Sequence, residues 1–384
     1  MSESTGRIDA LRGARSRADG TIAGEGFVPA DEDGLARLVL GLGPEVRACL
    51  EMMSGAVWVR DRLAGVGWRV EVADARKVKH VAPLACKTDK VDARVLAELC
   101  RRELVPALWI PSLEERALRE RLKRRLHLVR LRTSAKNRVF GLLTQWGLRI
   151  PCDRLRRHDA MELLETRGVP EVWRRSVAEA LAVIELLDER IAPLDRELGP
   201  LARADRRVCL LSTIPGIGPV LGLTIAAEIG DVARFPSARK LIGYSGLAPR
   251  VKQSGERSRS GELSKAGSRT LRFAAVEAAQ GAWRETNPWH RLYSDVKART
   301  GKANPAKAAV ARKPLIACWH VLSREQPFKP SQPRTDHVPA GSPLLSGRLT
   351  ARTRIENPGQ LRSEIVRPER RRRNEHSSPE DERS

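Results

Sequence analysis

Three carboxylates stand at spacings that suit metal-assisted phosphodiester chemistry. In Lys87-Thr88-Asp89-Lys90-Val91-Asp92-Ala93, Asp89 and Asp92 are three apart. At a helix start, residues so spaced lie on one face. Glu51 closes the run Val46-Arg47-Ala48-Cys49-Leu50-Glu51, which reads as a short strand, and strand ends in α/β sheets open onto the site crevice. Phosphodiester transfer of this kind needs carboxylates converging on one or two Mg²⁺ ions, which lower the pKa of the attacking group and clamp the leaving oxygen. Such sites need no His or Cys. Each piece alone has a plainer reading: an Asp-x-x-Asp pair caps a helix or complements its dipole, and a strand-terminal Glu is simply solvated.

A second chemistry is carried by hydroxyls. Ser245, Ser254, Ser258, Ser260, Ser264 and Ser268 lie among Arg250, Lys252, Arg257, Arg259, Lys265 and Arg269 in a Gly-punctuated stretch. A hydroxyl that attacks DNA needs cations to neutralise the scissile phosphate and a base or metal to activate it. By composition alone, any of these serines reads equally well as a hydrogen-bonding loop residue. Upstream, Ile214-Pro215-Gly216-Ile217-Gly218-Pro219 leads into an apolar helix ending at Gly230. This reads as a helix-hairpin-helix. Gly216 and Gly218 permit the tight turn, and the N–H groups of the next helix start can face a phosphate, a contact that positions a duplex without reading its sequence. The plainer reading is an ordinary helix–helix turn.

The elements that must position these groups follow from periodicity. Residues 25–92 alternate strand-like and helix-like segments: the strand ending at Glu51, a helix with Val57, Trp58, Leu63 and Ala64 on its apolar face, the alternating run Trp68-Arg69-Val70-Glu71-Val72-Ala73, and a helix from Lys87-Thr88-Asp89 through Val95, Leu96 and Leu99. That order is an α/β layer. Residues 114–145 repeat apolar positions at helical spacing (Leu118, Leu122, Leu126, Val129, Leu131), and residues 170–199 do so through Val177, Leu181, Ile184, Leu187, Ile191 and Leu194. Two such helices suggest a helical hairpin or coiled-coil arm. Arg116, Arg119, Arg121, Lys123, Arg124, Arg125, Arg130 and Arg132 on the first are read as contacts to a nucleic-acid backbone; the alternative is a bundle with a solvated basic face.

The chain has 384 residues and a formal net charge of +23, which points to a polyanion, by default nucleic acid. No apolar run reaches the roughly 18 residues of a membrane span, and the N-terminus has no apolar signal core, so neither a membrane partner nor secretion is expected. Six scattered cysteines without a C-x-x-C pair fit a reducing cytoplasm. Residues 1–22 read as a poorly ordered, atypical N-terminus, 23–112 as the acidic domain, 113–205 as the helical arm, 206–328 as the serine-bearing domain, and 329–384, with its run Arg370 to Arg373, as a disordered basic tail.

Lys-Thr-Asp-Lys-Val-Asp-Ala-Arg, preceded by a strand ending Cys-Leu-Glu-Met-Met-Ser-Gly, resembles the acidic domain of insertion-sequence-110 family transposases. The stretch from Leu210 to Trp289 resembles the C-terminal domain of the same family. The resemblance implies an α/β RuvC-like (RNase H-like) domain, a long helical coiled-coil arm, and a mostly α-helical C-terminal domain with a helix-hairpin-helix. The family uses four acids in the order Asp, Glu, Asp, Asp, with Mg²⁺ as the metal. By motif Glu51, Asp89 and Asp92 take the last three places. Asp9, in Gly6-Arg7-Ile8-Asp9, stands for the first, although residues 1–22 lack the apolar strand that carries it in the family. The family's nucleophilic serine follows a G-L-x-P turn; here Gln253-Ser254-Gly255 is the match, with Gln253 where a second serine is common. The resemblance further implies DNA strand cleavage and exchange directed by a guide RNA, homo-oligomers from dimer to tetramer, and a cytoplasmic, nucleoid-associated location. Two other readings stay open: a metal-only nuclease similar to a junction resolvase, and a catalytically inactive nucleic-acid-binding remnant.

Overall fold

The computed structural model describes residues 10–81, 89–155, 157–254 and 257–330. Asp9, the Lys87-Thr88 start of the acidic motif, and the basic tail from 331 onwards lie outside these residues. The fold is mostly helical, and its described strands come in three separate pairs.

The N-terminal part runs β1 (Ala10–Ser16), β2 (Ile22–Pro29), α1 (Glu32–Leu42), β3 (Arg47–Glu51), α2 (Ala56–Gly65), β4 (Arg69–Ala73), α3 (Ala75–Val81) and α4 (Asp89–Arg101). The expectation that residues 1–22 are poorly ordered is corrected for residues 10–16, where β1 pairs antiparallel with β2. Ala-Leu-Arg-Gly-Ala-Arg-Ser has one large apolar residue and no period-2 pattern, so hydropathy does not mark it as a strand. Its ladder to β2 and the packing of α4 across it hold it instead. The turn between the strands is set by Asp19. Its carboxylate accepts from the backbone N and Oγ1 of Thr21 at 2.8 and 2.7 Å, and these bonds hold its pKa below the usual range.

β3 and β4 run parallel, with Glu51 opposite Ala73, and α2 is their crossover. Ala56, Val59 and Leu63 form the buried stripe of α2, and Val59 and Leu63 pack with Leu35 and Trp68; Ala64, expected on that face, is exposed. Trp68 Nε1 donates to the Gly43 carbonyl at 2.9 Å and ties β4 to the end of α1. The expected strand–helix–strand–helix order is present, but the β1–β2 and β3–β4 pairs do not join into one sheet among the described residues. α4 lies against both β1 and β3.

Next come α5 (Leu113–Gln145), α6 (Arg157–Thr166) and α7 (Glu171–Ala204). Ser112 and Glu115 form a capping box that starts α5. Pairs Arg121–Glu197, Arg125–Asp195 and Arg132–Asp188 show that α5 and α7 lie antiparallel. Pro193 and Pro200 sit inside α7, where a proline costs about 3 kcal/mol. The buried stripe Ile184, Leu187, Ile191, Leu194 and Leu198 supplies roughly 1.5–3 kcal/mol per side chain and outweighs that cost. Where α6 joins, Val139, Leu142, Leu143, Leu164 and Leu181 form a separate small core, flanked by the edge-on pair Trp146–Trp173 with ring centroids 5.6 Å apart.

The C-terminal part comprises α8 (Arg206–Leu211), α9 (Pro219–Ile229), α10 (Ala238–Ser245), β5 (Pro249–Ser254), β6 (Arg257–Leu263), α11 (Arg269–Ala278), α12 (His290–Thr300), α13 (Ala303–Val310) and α14 (Arg312–Arg324). It holds the largest core, built on Leu223, Ile225 and Ile229 of α9, Leu271 and Ala275 of α11, and Leu315 and Cys318 of α14. No described helix is long and apolar enough to cross a membrane.

Candidate active site

The acidic edge is built by strand direction. Because β3 and β4 are parallel, their C-terminal ends share one edge: Glu51 ends β3 and Asp74 follows β4. Arg47, at the start of β3, pairs with Glu103 just past α4, and α4 packs against β3. Asp89 is the first residue of α4, and only its backbone is described; Asp9 lies outside the described residues.

Glu51 and Asp92 are half-buried, and their side chains make no hydrogen bond or ion pair among the described residues. Their neighbours differ. Glu98, on the same helix, accepts from Arg101 and Arg102, which hold its carboxyl down at about 2. Glu71 lies beside Arg47, and Asp61 pairs with Arg60 and Arg116. Half-buried carboxylates without a partner, in so basic a chain, are free to take a cation from solution. The set is all-oxygen, as a hard divalent ion requires. Among the described residues no group of three or more potential ligands converges, and of the four expected acids only Glu51 and Asp92 have described side chains. Sequence reasoning passed over Asp74, which ends the alternating β4 run as Glu51 ends β3. Its Oδ1 accepts from Arg76 N at 3.0 Å and caps α3.

The serine region is a hairpin. Ser254 occupies the last ladder position of β5, opposite Arg257, with the connection 255–256 beyond it; Lys252 stands opposite Arg259, Gln253 opposite Ser258, and Val251 opposite Ser260. At the feet, Ser264 N donates to Ala248 O, Lys265 N to Gly246 O and Ser268 N to Tyr244 O, at 2.8–3.0 Å. Gly267, at φ +132°, has no room for a side chain: a Cβ would lie 2.1 Å from Tyr244 O. Two of the six candidate serines are structural. Ser245 is fully buried and donates to Ile242 O at 2.7 Å. Ser268 donates to Glu228 Oε2 at 2.8 Å and caps α11 by accepting from Leu271 N at 3.0 Å. Ser254 is the serine beside the connection, at the free end of the hairpin.

The expected phosphate-binding residues separate in the same way. Lys265 and Arg269 are exposed, and their side chains make no hydrogen bond or ion pair among the described residues. Arg269 opens α11 at the positive end of its dipole, where a cation does not stabilise the helix. Arg250, Lys252, Arg257 and Arg259 sit on the hairpin strands, with only their backbone described. Gly216 has a packing reason: φ is +88°, and a Cβ would lie 2.2 Å from Ala278 O. Gly218, the N-cap of α9, has open space around it. The basic face expected of α5 is largely used inside the fold. Arg116 pairs with Asp61, Arg119 donates to Ala227 O, Arg121, Arg125 and Arg132 pair with α7, and Arg130 lies over Phe273. Of the eight cations named there, Lys123 and Arg124 remain exposed without such partners.

Comparison with known proteins follows the same division. Residues 208–295 match the family described as Transposase IS116/IS110/IS902 family, and residues 16–147 match the DEDD-type IS110 model, described as a transposase. The chain is 30% identical over 287 residues to a probable family 20 transposase of Pseudomonas aeruginosa, spanning 72% of this chain and 83% of that protein. It is 27% identical to the transposase for insertion sequence element IS1111A of Coxiella burnetii, over 65% of this chain and 71% of the relative. A putative transposase, y4qE, of Sinorhizobium fredii is 26% identical over 71% of this chain and 68% of the relative. With one family model on the acidic layer, another on the hairpin-bearing core, and a relative matched over most of its length, the chain belongs to the IS116/IS110/IS902 family of transposases, enzymes that act on DNA.

Proposed function

We propose that this transposase cuts and rejoins DNA strands through Ser254, assisted by Mg²⁺ held on Glu51, Asp89, Asp92 and Asp9. The position of Ser254 carries the reading: it ends β5, opposite Arg257, at the free end of a hairpin whose feet are fastened to a buried core. Mg²⁺ bound at the acidic edge would lower the pKa of the attacking hydroxyl and offset phosphate charge. The residues of the chain do the rest. Ser254 Oγ forms a bond to the scissile phosphorus and its proton leaves to solvent. The bond from phosphorus to the departing sugar oxygen breaks, and that oxygen takes up a proton. The phosphodiester is then held on the serine until a hydroxyl of the incoming strand displaces it, so bonds are exchanged without net hydrolysis. Arg250, Lys252, Arg257, Arg259, Lys265 and Arg269 hold phosphates, and the turn at Gly216 and Gly218 leads a duplex to the start of α9.

The same reading takes the acidic layer as RuvC-like, the turn before α9 as a helix-hairpin-helix, α5 and α7 as a coiled-coil arm, and a structured guide RNA as the director of the reaction. It takes the working form as a dimer to tetramer, with the acidic edge of one protomer assisting the serine of another. Exposed Val183 and Leu186 on α7 support a pairing role for the arm.

Strand-cleavage assays in Mg²⁺ with Ser254→Ala and Asp92→Ala test this. Both substitutions should abolish strand exchange. Cleavage retained by Ser254→Ala but lost in Asp92→Ala would favour a metal-only nuclease. Salt-sensitive DNA binding with no cleavage by the unaltered chain would identify an inactive remnant.

A further inference from the structure

Glu228 belongs to neither half of the site, yet it is 5% exposed, in the last turn of α9. A buried carboxylate is costly, and the negative end of a helix dipole is a poor place for one. The surroundings offset this. Arg119 and Arg234 donate to the Glu228 carbonyl at 3.2 and 3.1 Å. Arg234 is itself set over the rings of Trp109, Phe235 and Tyr244 at 4.2–4.5 Å. The carboxylate accepts from Ser268 Oγ, and Ser268 in turn caps α11 and donates its N–H to Tyr244 O. One turn further along α11, Arg272 Nη1 donates to Ser245 O and to Lys265 O, at 3.0 Å each. These carbonyls flank the two feet of the β5–β6 hairpin. Close approach here is tight: a Cβ on Gly246 would lie 2.5 Å from that same Nη1.

We propose that Glu228, Ser268 and Arg272 form a positioning device that fixes the angle of the serine hairpin on the core. The proposal rests on the reading that Ser254 carries the chemistry. Leverage is the reason the device matters. Ser254 is about 17 Å along the strand from the foot, so a tilt of about 10° displaces it by about 3 Å; a misplacement of about 1 Å can cost about 100-fold in rate. Glu228 holds the cap of α11, α11 holds Arg272, and Arg272 holds both feet together.

The test is hydrogen exchange on the full chain, combined with single-turnover cleavage and DNA affinity, for the unaltered protein, Arg272→Gln, Arg272→Lys, Glu228→Leu and Glu228→Gln. In Arg272→Gln and Glu228→Leu, the amides of Ser264, Lys265 and Ser268 should exchange faster by about tenfold or more, while those of α5 and α14 keep their protection. Cleavage should fall by about tenfold or more with the Kd for DNA unchanged. Arg272→Lys, which keeps a charged donor but ends one bond short of the position of Nη1, should fall between. Glu228→Gln, which still accepts from Ser268, should stay close to the unaltered protein. Unchanged exchange at the feet, or a uniform rise across the whole C-terminal core, would overturn the proposal. Faster exchange at the feet in a protein whose cleavage survives Ser254→Ala would keep the positioning device and overturn the serine reading instead.

Discussion

A carboxylate tells most when it has no cation beside it in a chain of net charge +23. Glu98 and Asp61 are held by arginines, whereas Glu51 and Asp92 are not. Asp61 shows what pairing does. Burial raises its pKa, but hydrogen bonds and charge from Arg60 and Arg116 outweigh this and leave the carboxyl below its ordinary range. A depressed carboxyl adds stability that is fully present above its unfolded value, about 3.9, and is lost as pH falls through the lower folded value. Asp61→Asn should therefore lower Tm at neutral pH, and the difference from the unaltered protein should vanish in acid below that window; a difference that persists there would contradict the ion pair. Exposed Lys265 and Arg269 belong to the other class of residue. If each touches one phosphate, Lys265→Ala and Arg269→Ala should each reduce the slope of log affinity against log salt by about 1. Equal slopes in a salt titration would remove them from the interface.

At the scale of elements, α5 changes meaning most. Its sequence is a basic amphipathic stripe, which suits nucleic acid, but six of its arginines serve α2, α7, α9 and the Phe273 ring. Arg125→Ala and Arg132→Ala should each cost up to about 1 kcal/mol of stability, the scale of an exposed pair, and leave DNA affinity unchanged. Lys123→Ala with Arg124→Ala should do the reverse. Urea unfolding and a binding titration on the same samples decide it. The elements also mark where sequence reading succeeds. The β3 strand ending in Glu51, the antiparallel pair α5 and α7, and the Gly-bearing turn before α9 were all legible, since periodicity and turn residues are local signals. β1 was not, because Leu11 alone cannot make a pattern. Nor were Glu228 and Arg272: contacts across 40 and 27 residues leave no local trace. The glycines at 216 and 267 were visible, but their packing against Ala278 O and Tyr244 O was not. Gly267→Ala should destabilise the protein by about 1–3 kcal/mol through forced strain alone, measured by urea unfolding; a neutral result would mean the hairpin foot is looser than described.

Across the whole molecule, the root of α5 joins the acidic layer to the core that bears the hairpin. Arg116 reaches Asp61 in the acidic layer, and three residues on, Arg119 reaches the end of α9 beneath the serine hairpin. Trp109, in the segment entering α5, lies between Arg119 and Arg234 and fills the space beside Gly230. Family membership came from joint motifs in two distant regions, each weak alone. The arrangement of serines was the part sequence left open; burial of Ser245 and the capping and Glu228 bonds of Ser268 give those two structural roles. The central claim is a covalent bond from Ser254 to DNA. It is tested most directly by incubating the protein with DNA carrying the element's ends in Mg²⁺, then resolving the mixture on a denaturing gel and mapping the modified peptide. The account predicts an adduct on the peptide containing Ser254 that is absent in Ser254→Ala; cleavage without any protein-linked DNA, or an adduct that survives Ser254→Ala, would contradict it.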